Sequence, residues 1–347
     1  MSPSRRPGGA APRYGAIDLG TNNCRLLVAA PRRQGDGLAG LRVVDAFSRI
    51  VRLGEGVSRT GALSPEAMDR TVAALRVCAR KMRERGVTRS RAIATQACRL
   101  ADNGEAFLGR VRRETGLHLD LISPEEEARL AALGCTDLID AKAEAVLVFD
   151  IGGGSTEMSW IATDGPLPRT LAWTSFPFGV VTMAEKAAAA GKEGARDMDR
   201  AAYEAMVEEV ADAVRGFAGP AAIEGLFGTS RAHLIGTSGT VTSLAGVKMR
   251  LPRYNRRDVD GTWLSARDVE AVSERLRAMG FPRRAAEPCI GAERADLVVP
   301  GCAILQGIMQ VWPSERVRVG DRGLREGMLI ELMRADRTEA AGRAAHV

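Results

Sequence analysis

Two short runs place a carboxylate beside glycines and hydroxyls between apolar stretches: Asp18-Leu19-Gly20-Thr21-Asn22-Asn23 and Asp150-Ile151-Gly152-Gly153-Gly154-Ser155-Thr156. A strand that runs into Asp-x-Gly and straight out into another strand is a tight hairpin. Glycine there permits a positive φ and lets ligand oxygens approach backbone N–H groups. Thr21, Asn22, Ser155 and Thr156 add hydroxyl and amide donors. A third run, Gly236-Thr237-Ser238-Gly239-Thr240, leads from a short strand to a helix start, where the dipole favours anions. One such loop reads as easily as a plain turn. Two with the same Asp register, plus the third, suit a polyphosphate chain. No GxxxxGK[ST] run occurs, so this is not a P-loop nucleotide hydrolase.

The carboxylates suggest what would act on such a chain. Asp18, Asp150 and Glu157 are the candidates for Mg²⁺, because hard oxygen ligands on rigid hairpins suit that ion, with phosphate and water completing its shell. Strand alternation puts Ser155, Glu157 and Ser159 on one face. A second acidic run, Glu125-Glu126-Glu127, opens a helix after Ser123-Pro124. Acid in a first helical turn is an ordinary response to the macrodipole. Its functional reading is that one of the three reaches a cleft and takes a proton from attacking water. Arg99, at the end of a strand, is either a surface cation or a clamp on the transferring phosphoryl group.

Other chemistries lack their parts. The three histidines, His118, His233 and His346, stand alone, so no site can use two neighbouring ones. The six cysteines are scattered with no CxxC pair, which reads as free, mostly buried thiols in a reducing cytoplasm. No stretch approaches the ~18 to 20 apolar residues of a membrane span, and the basic start lacks the apolar core of a secretory signal. Net charge is +6 with only five lysines among 49 basic residues. Arginine's fork suits phosphate oxygens, but the bias follows equally from a GC-rich genome. No basic–aromatic module for nucleic acid is present.

The elements that must hold these residues follow from the patterning. At 347 residues, two domains are expected. Tyr14–Asp18, Cys24–Ala30 and Leu41–Val51 read as strands, and Ser64-Pro65 caps a helix that ends at Gly86. Strand Ser90–Thr95, helix Gly104–Thr115, strand Leu117–Ile122 and helix Pro124–Leu133 complete a first unit. The opening then recurs: strand Val146–Phe149, the glycine turn, and strand Thr156–Ile161. Strand Thr170–Ser175, helix Met198–Phe217, strand His233–Ile235, helices 265–279 and 293–312, strand Arg316–Val319 and helix Leu324–Met333 follow. This is an α/β chain with the same strand–Asp–Gly–strand device twice. The expected division is a flexible tail over 1–13, a first lobe over 14–131, a second over 132–334 and a flexible tail over 335–347. The last helix is free to pack back on the first lobe.

With these residues in order, the sequence resembles the Ppx/GppA family of exopolyphosphatases and guanosine pentaphosphate phosphohydrolases. The resemblance rests on DLGTNNCRLLV (18–28), ATQACRLADN (94–103), ISPEEEARL (122–130), DIGGGSTEMS (150–159) and GTSGTVTSLAG (236–246). ERADLVVPGCAIL and DRGLREGML (293–305 and 321–329) match the last segment. It implies a duplicated actin-like ATPase (ribonuclease H-like) fold, two lobes around a cleft. It also implies Mg²⁺-dependent hydrolysis of a terminal phosphoanhydride, in inorganic polyphosphate or guanosine pentaphosphate. Carried over, Glu127 would be the general base, Asp150 and Glu157 the acids at metal and water, and Arg99 the phosphate clamp. Thr21, Asn22, Asn23 and Arg25 with Gly152–Thr156 would line the phosphate channel.

Three departures stand out. Ser123-Pro124 replaces the usual Ser-Gly, and Asn23 stands where Ser or Thr is common. The chain also stops where longer members continue into a helical HD-like domain, so the short two-domain form is expected. An actin-fold kinase or ATPase, and a non-catalytic guanosine-phosphate sensor, are the competing readings. A cytoplasmic protein without membrane or nucleic-acid partners is expected, and a homodimer is compatible with it.

Overall fold

The computed structural model describes residues 11–32, 41–165, 168–189, 198–217 and 219–344. Two mixed sheets carry the fold. The first orders its strands β3-β2-β1-β4-β5, with β1 Tyr14–Leu19, β2 Asn23–Pro31, β3 Leu41–Ile50, β4 Arg89–Ala94 and β5 Asp120–Leu121. The second is formed by β6 Ala145–Ile151, β7 Thr156–Ala162, β8 Arg169–Phe176, β9 Ala232–Thr237, β10 Trp263–Ser265 and β11 Arg316–Gly320. Its order, β10-β11-β9-β6-β7-β8, read from the far edge, repeats the first sheet and adds β10. In both, a central strand pairs antiparallel with the next strand in sequence and parallel with a later one: β1 with β2 and β4, β6 with β7 and β9. This duplicated topology is that of the actin-like ATPase fold.

Apart from the aspartate near the end of each, the central strands are largely apolar because both faces are covered. Ile17, Leu19, Leu147 and Phe149 are all buried, as expected for strands between helical layers. The expected strand Leu117–Ile122 shortens to Asp120–Leu121, since only Ile93 and Ala94 of β4 reach it. The helix expected to begin at 293 begins at Val298, after a run of turns. The terminal helix is longer than the patterning suggests: it runs Leu324–Ala344, so residues 335–344 are helical rather than a loose tail. Residues 1–10 of the expected N-terminal tail lie outside the described residues.

That terminal helix ties the two ends of the chain. Leu324, Met328, Leu329 and Met333 form one apolar cluster with Tyr14 and Ala16 of β1, Leu27 and Ala29 of β2, and Leu130. Its close approach to the helix Pro124–Gly134 depends on missing side chains. A Cβ at Gly134 would lie 2.0 Å from the Gly323 carbonyl oxygen, and one at Gly327 would lie 2.1 Å from that of Leu130. All six cysteines are free and buried. Among the described residues no helix is long and apolar enough to cross a membrane.

Candidate active site

The two glycine turns are built alike. Gly20 N–H donates to the Asn23 carbonyl and Gly152 N–H to that of Ser155, each at 2.9 Å. None of Gly20, Gly152, Gly153 or Gly154 has a positive φ, contrary to the expectation from the sequence. Their role is close approach. A Cβ on Gly153 would stand 3.1 Å from Thr21 Cβ and 3.2 Å from Asn22 Cβ, and one on Gly154 would stand 2.0 Å from Gln96 Oε1. The hairpins therefore pack tip to tip across the lobes. In the third loop it is Ser238, not a glycine, that takes the left-handed conformation, at φ 71°. Such a conformation costs about 1–3 kcal/mol for a residue with a side chain. The strain is offset in part by what it achieves, since Ser238 Oγ donates to Asp150 Oδ1.

A cavity of about 870 Å³ of empty space, open to solvent, lies where the hairpins meet. Asp18, Gly20 to Asn23 and Arg25 come from the first lobe with Glu127. Asp150, Gly152 to Ser155, Glu157 and Ser238 to Thr240 come from the second. Thr156, Gly236 and Thr237 do not reach its wall. They are buried strand ends, with Thr156 Oγ1 donating to the Phe178 carbonyl at 2.8 Å. Arg99 is also outside the wall. It stands behind Glu127, its Nη1 donating to Glu127 Oε2 at 3.1 Å and to the Ile122 carbonyl at 2.7 Å.

The position of Glu127 is set by its helix. Ser123 caps Pro124–Gly134, its side chain accepting from Glu126 N–H at 3.2 Å, and Pro124 supplies a preset φ in the first turn. Glu126 faces away from the cavity into a closed ring of charges. Arg91 of β4 pairs with Glu126 at 2.9 Å and with Glu331 of the terminal helix at 3.1 Å. Arg129 pairs with the same two carboxylates at 2.8 and 2.6 Å. Isolated surface pairs contribute little, but a closed network on three elements fixes the helix rotation that aims Glu127 inward.

Burial pushes the Glu127 carboxyl well above the usual carboxylate range. The neighbouring Glu157 and Asp18 push the same way, and Arg99 only partly opposes them. Burial also raises Glu157, to about 7, with Asp150 adding to it while hydrogen bonds from Ser155 and Ser175 hold it down. Ser175 Oγ donates to Glu157 Oε1 at 2.8 Å. Both carboxylates have a raised proton affinity, since burial and like charge both disfavour the ionised form. That is the property a base needs at pH 7.

The three expected metal ligands do not converge as a set. Among the described residues no group of three or more His, Cys, Asp or Glu side chains is arranged around one point. Glu157 belongs with Glu127 and Ser175, which leaves Asp18 and Asp150. Burial raises the Asp18 carboxyl despite Arg25 and Arg325, and Asp150 adds to it. The buried oxygens Asn22 Oδ1 and Asn23 Oδ1 have no partner. Under-compensated oxygen acceptors fit a hard divalent cation that also takes oxygens from substrate and water.

The cavity wall holds residues that the sequence reading left without a role: Thr95, Ser243 and Arg294. Thr95 follows β4 as Ser238 follows β9, so the duplication itself was the signal for it. Arg294 lies in the quoted run ERADLVV, but in a turn whose position no local pattern gives. It is partly buried, and burial and the neighbouring Arg25 lower its pKa. Gln96, also missed, stands at the hairpin contact with its Oε1 unpartnered.

A model of the Ppx/GppA phosphatase family matches residues 32–336. Among solved structures, the Aquifex aeolicus family member is 26% identical, with a TM-score of 0.76 over 94% of this chain and 99% of its own. An exopolyphosphatase-like protein is 27% identical, with a TM-score of 0.80 over 93% and 99%. An exopolyphosphatase from Cytophaga hutchinsonii, at 23% identity and a TM-score of 0.78 over 93% and 98%, shares the fold. The match runs from just after the second strand of the first lobe into the terminal helix, and this chain belongs to the Ppx/GppA phosphatase family.

Proposed function

We propose that this phosphohydrolase releases the terminal phosphate of an anhydride-linked phosphate chain, inorganic polyphosphate or guanosine pentaphosphate, by attack of water deprotonated by Glu127. The observation that carries the reading is Glu127 itself. It is a carboxylate with raised proton affinity, held by Arg99 at 3.1 Å, at the wall of a cavity formed by two glycine hairpins.

The residues divide the work. Backbone N–H groups of Thr21–Asn22 and Gly153–Gly154, at the tips of the two turns, cradle phosphate oxygens at a narrow contact where a Cβ would intrude. Glu127 accepts the water proton, with Glu157 and Ser175 fixing the place of that water. Arg99, behind Glu127 and bonded to it at 3.1 Å, holds that carboxylate in place for the water. Arg25 and Arg294 stabilise the departing phosphate oxygen. Mg²⁺, held through Asp18 and Asp150, would supply charge neutralisation on the phosphoryl oxygens.

The test is phosphate release by the purified protein with Mg²⁺, comparing long-chain polyphosphate with guanosine pentaphosphate at equal terminal-phosphate concentration. Release from either, lost in Glu127→Gln with substrate binding kept, supports the reading. Binding of both without release would make the chain a sensor, and the proposal would fail.

A further inference from the structure

Beside the reaction cavity runs a groove of about 1050 Å³ of empty space, lined by Ser48, Arg49 and Ile50 at the end of β3, by Tyr254, and by the turn 288–294. The two spaces have one wall residue in common, Arg294. Register places the groove at the outer edge of the first hairpin: Ser48 pairs with Arg25, Arg49 with Cys24 and Ile50 with Asn23. Three guanidinium groups thus follow one another from cavity to groove. Arg25 lines the cavity, Arg294 lines both, and Arg49 lines the groove.

None of the three forms an ion pair among the described residues. Arg52, close by, does: it binds Asp296 and the Glu293 carbonyl, each at 3.2 Å. Arg49 is directed by the Phe47 ring, its Cζ 5.4 Å from the centroid. Glu293 is the one carboxylate in the groove wall. Asp18 lies beside Arg25, and Asp321 and Glu293 beside Arg294, but with no ion pair formed the three cations remain under-compensated positive charge. An anion with several charges along its length resolves it.

The lining of the two spaces gives the direction. Glu127 lines the cavity and not the groove, whereas Arg294 stands where the two meet. In an in-line displacement the attacking and leaving oxygens lie at opposite ends of the phosphorus. With the base at the Glu127 end, the leaving group lies at the Arg294 end, where the groove opens. Resting on the reading of Glu127 as the base, we propose that this groove is the subsite for the leaving-group phosphates. Arg294 holds the inner phosphates and Arg49 those farther from the scissile bond. The chain would then select substrates by the number of phosphates beyond the bond it cleaves.

The test uses affinity, so that it does not depend on turnover. Calorimetric titration of the Glu127→Gln protein with long-chain polyphosphate, tripolyphosphate and guanosine pentaphosphate is compared with the same protein carrying Arg49→Glu or Arg49→Ala. Arg267→Glu, an exposed change of equal charge elsewhere, is the control. Arg49→Glu is expected to weaken long-chain polyphosphate about tenfold and tripolyphosphate less than twofold, with Arg49→Ala intermediate. A loss equal for both lengths, a loss matched by Arg267→Glu, or no loss at all overturns the subsite. A loss for guanosine pentaphosphate as large as for the long chain shows that the groove reads phosphates from either source. Failure of the parent protein to release phosphate would strike the hydrolase reading alone, because these affinities still judge the groove.

Discussion

The two hairpins share a turn and differ in what stands across from their aspartates. Asp18 pairs in register with Arg25, and Asp150 pairs with Glu157. Duplication has kept the backbone geometry, down to the same 2.9 Å turn hydrogen bond. It has put opposite charges at equivalent positions. On the proposed reading, the first hairpin thereby carries the cation that meets phosphate, and the second carries the acid that neighbours the base. The glycines divide in the same way. Gly20 has only the Asn23 carbonyl oxygen near a would-be Cβ, at 3.7 Å, whereas Gly152 has that of Ser155 at 2.9 Å. Like topology does not mean like function, and the asymmetry lies in side chains that a sheet diagram would treat as equal.

The sharpest way to break the comparison is to remove the base that the acid side serves. Glu127→Gln should lower kcat by ~10² or more while leaving substrate affinity within a few-fold, measured by steady-state phosphate release and calorimetry. Arg25→Glu gives the first hairpin the charge of the second. It should lower kcat/KM about tenfold, mainly through KM, because it sets a carboxylate against phosphate; an unchanged KM would show that the hairpins do not divide the work this way.

The glycine contrast is read by melting temperature. Gly152→Ala should cost roughly 5 °C, since a backbone oxygen must move. Gly20→Ala should lose little or gain slightly through a stiffer unfolded chain. The smallest effect is a pH dependence. Glu157 rises from 4.5 to about 7 on folding, so the folded state holds the extra proton in that window and its stability falls as pH climbs through it. Glu157→Gln abolishes the effect. Its melting temperature relative to the parent should rise by roughly 3 °C between pH 5 and pH 8, and a constant difference would refute the shift.

Most of the fold was legible because the signals were local. Ser64 and Ser123, each followed by Pro, announced helix starts that form where expected, and the repeated Asp-x-Gly register announced two like sheets. The cavity walls were legible for the same reason, since the hairpin residues come as contiguous runs. Three things were not. Arg294 reaches the cavity from a turn whose path depends on tertiary packing. Arg99 was expected against phosphate, but it stands behind the carboxylate because the Ile122 carbonyl draws it there. The glycines were read as sites of unusual φ, when their use is the 2.0 to 3.2 Å approach of the other lobe. Contacts between distant segments leave no periodicity to find.

The terminal helix has a consequence for the making of the protein. Tyr14 and Ala16 of β1 are covered by Leu324 and Met328, which are joined only after all the chain between them has been made. During synthesis the first sheet waits with one apolar face bare while most of the chain is still being translated. A first lobe expressed alone keeps that bare face, so it should be insoluble or captured by chaperones, and adding the 324–344 segment in trans should relieve it.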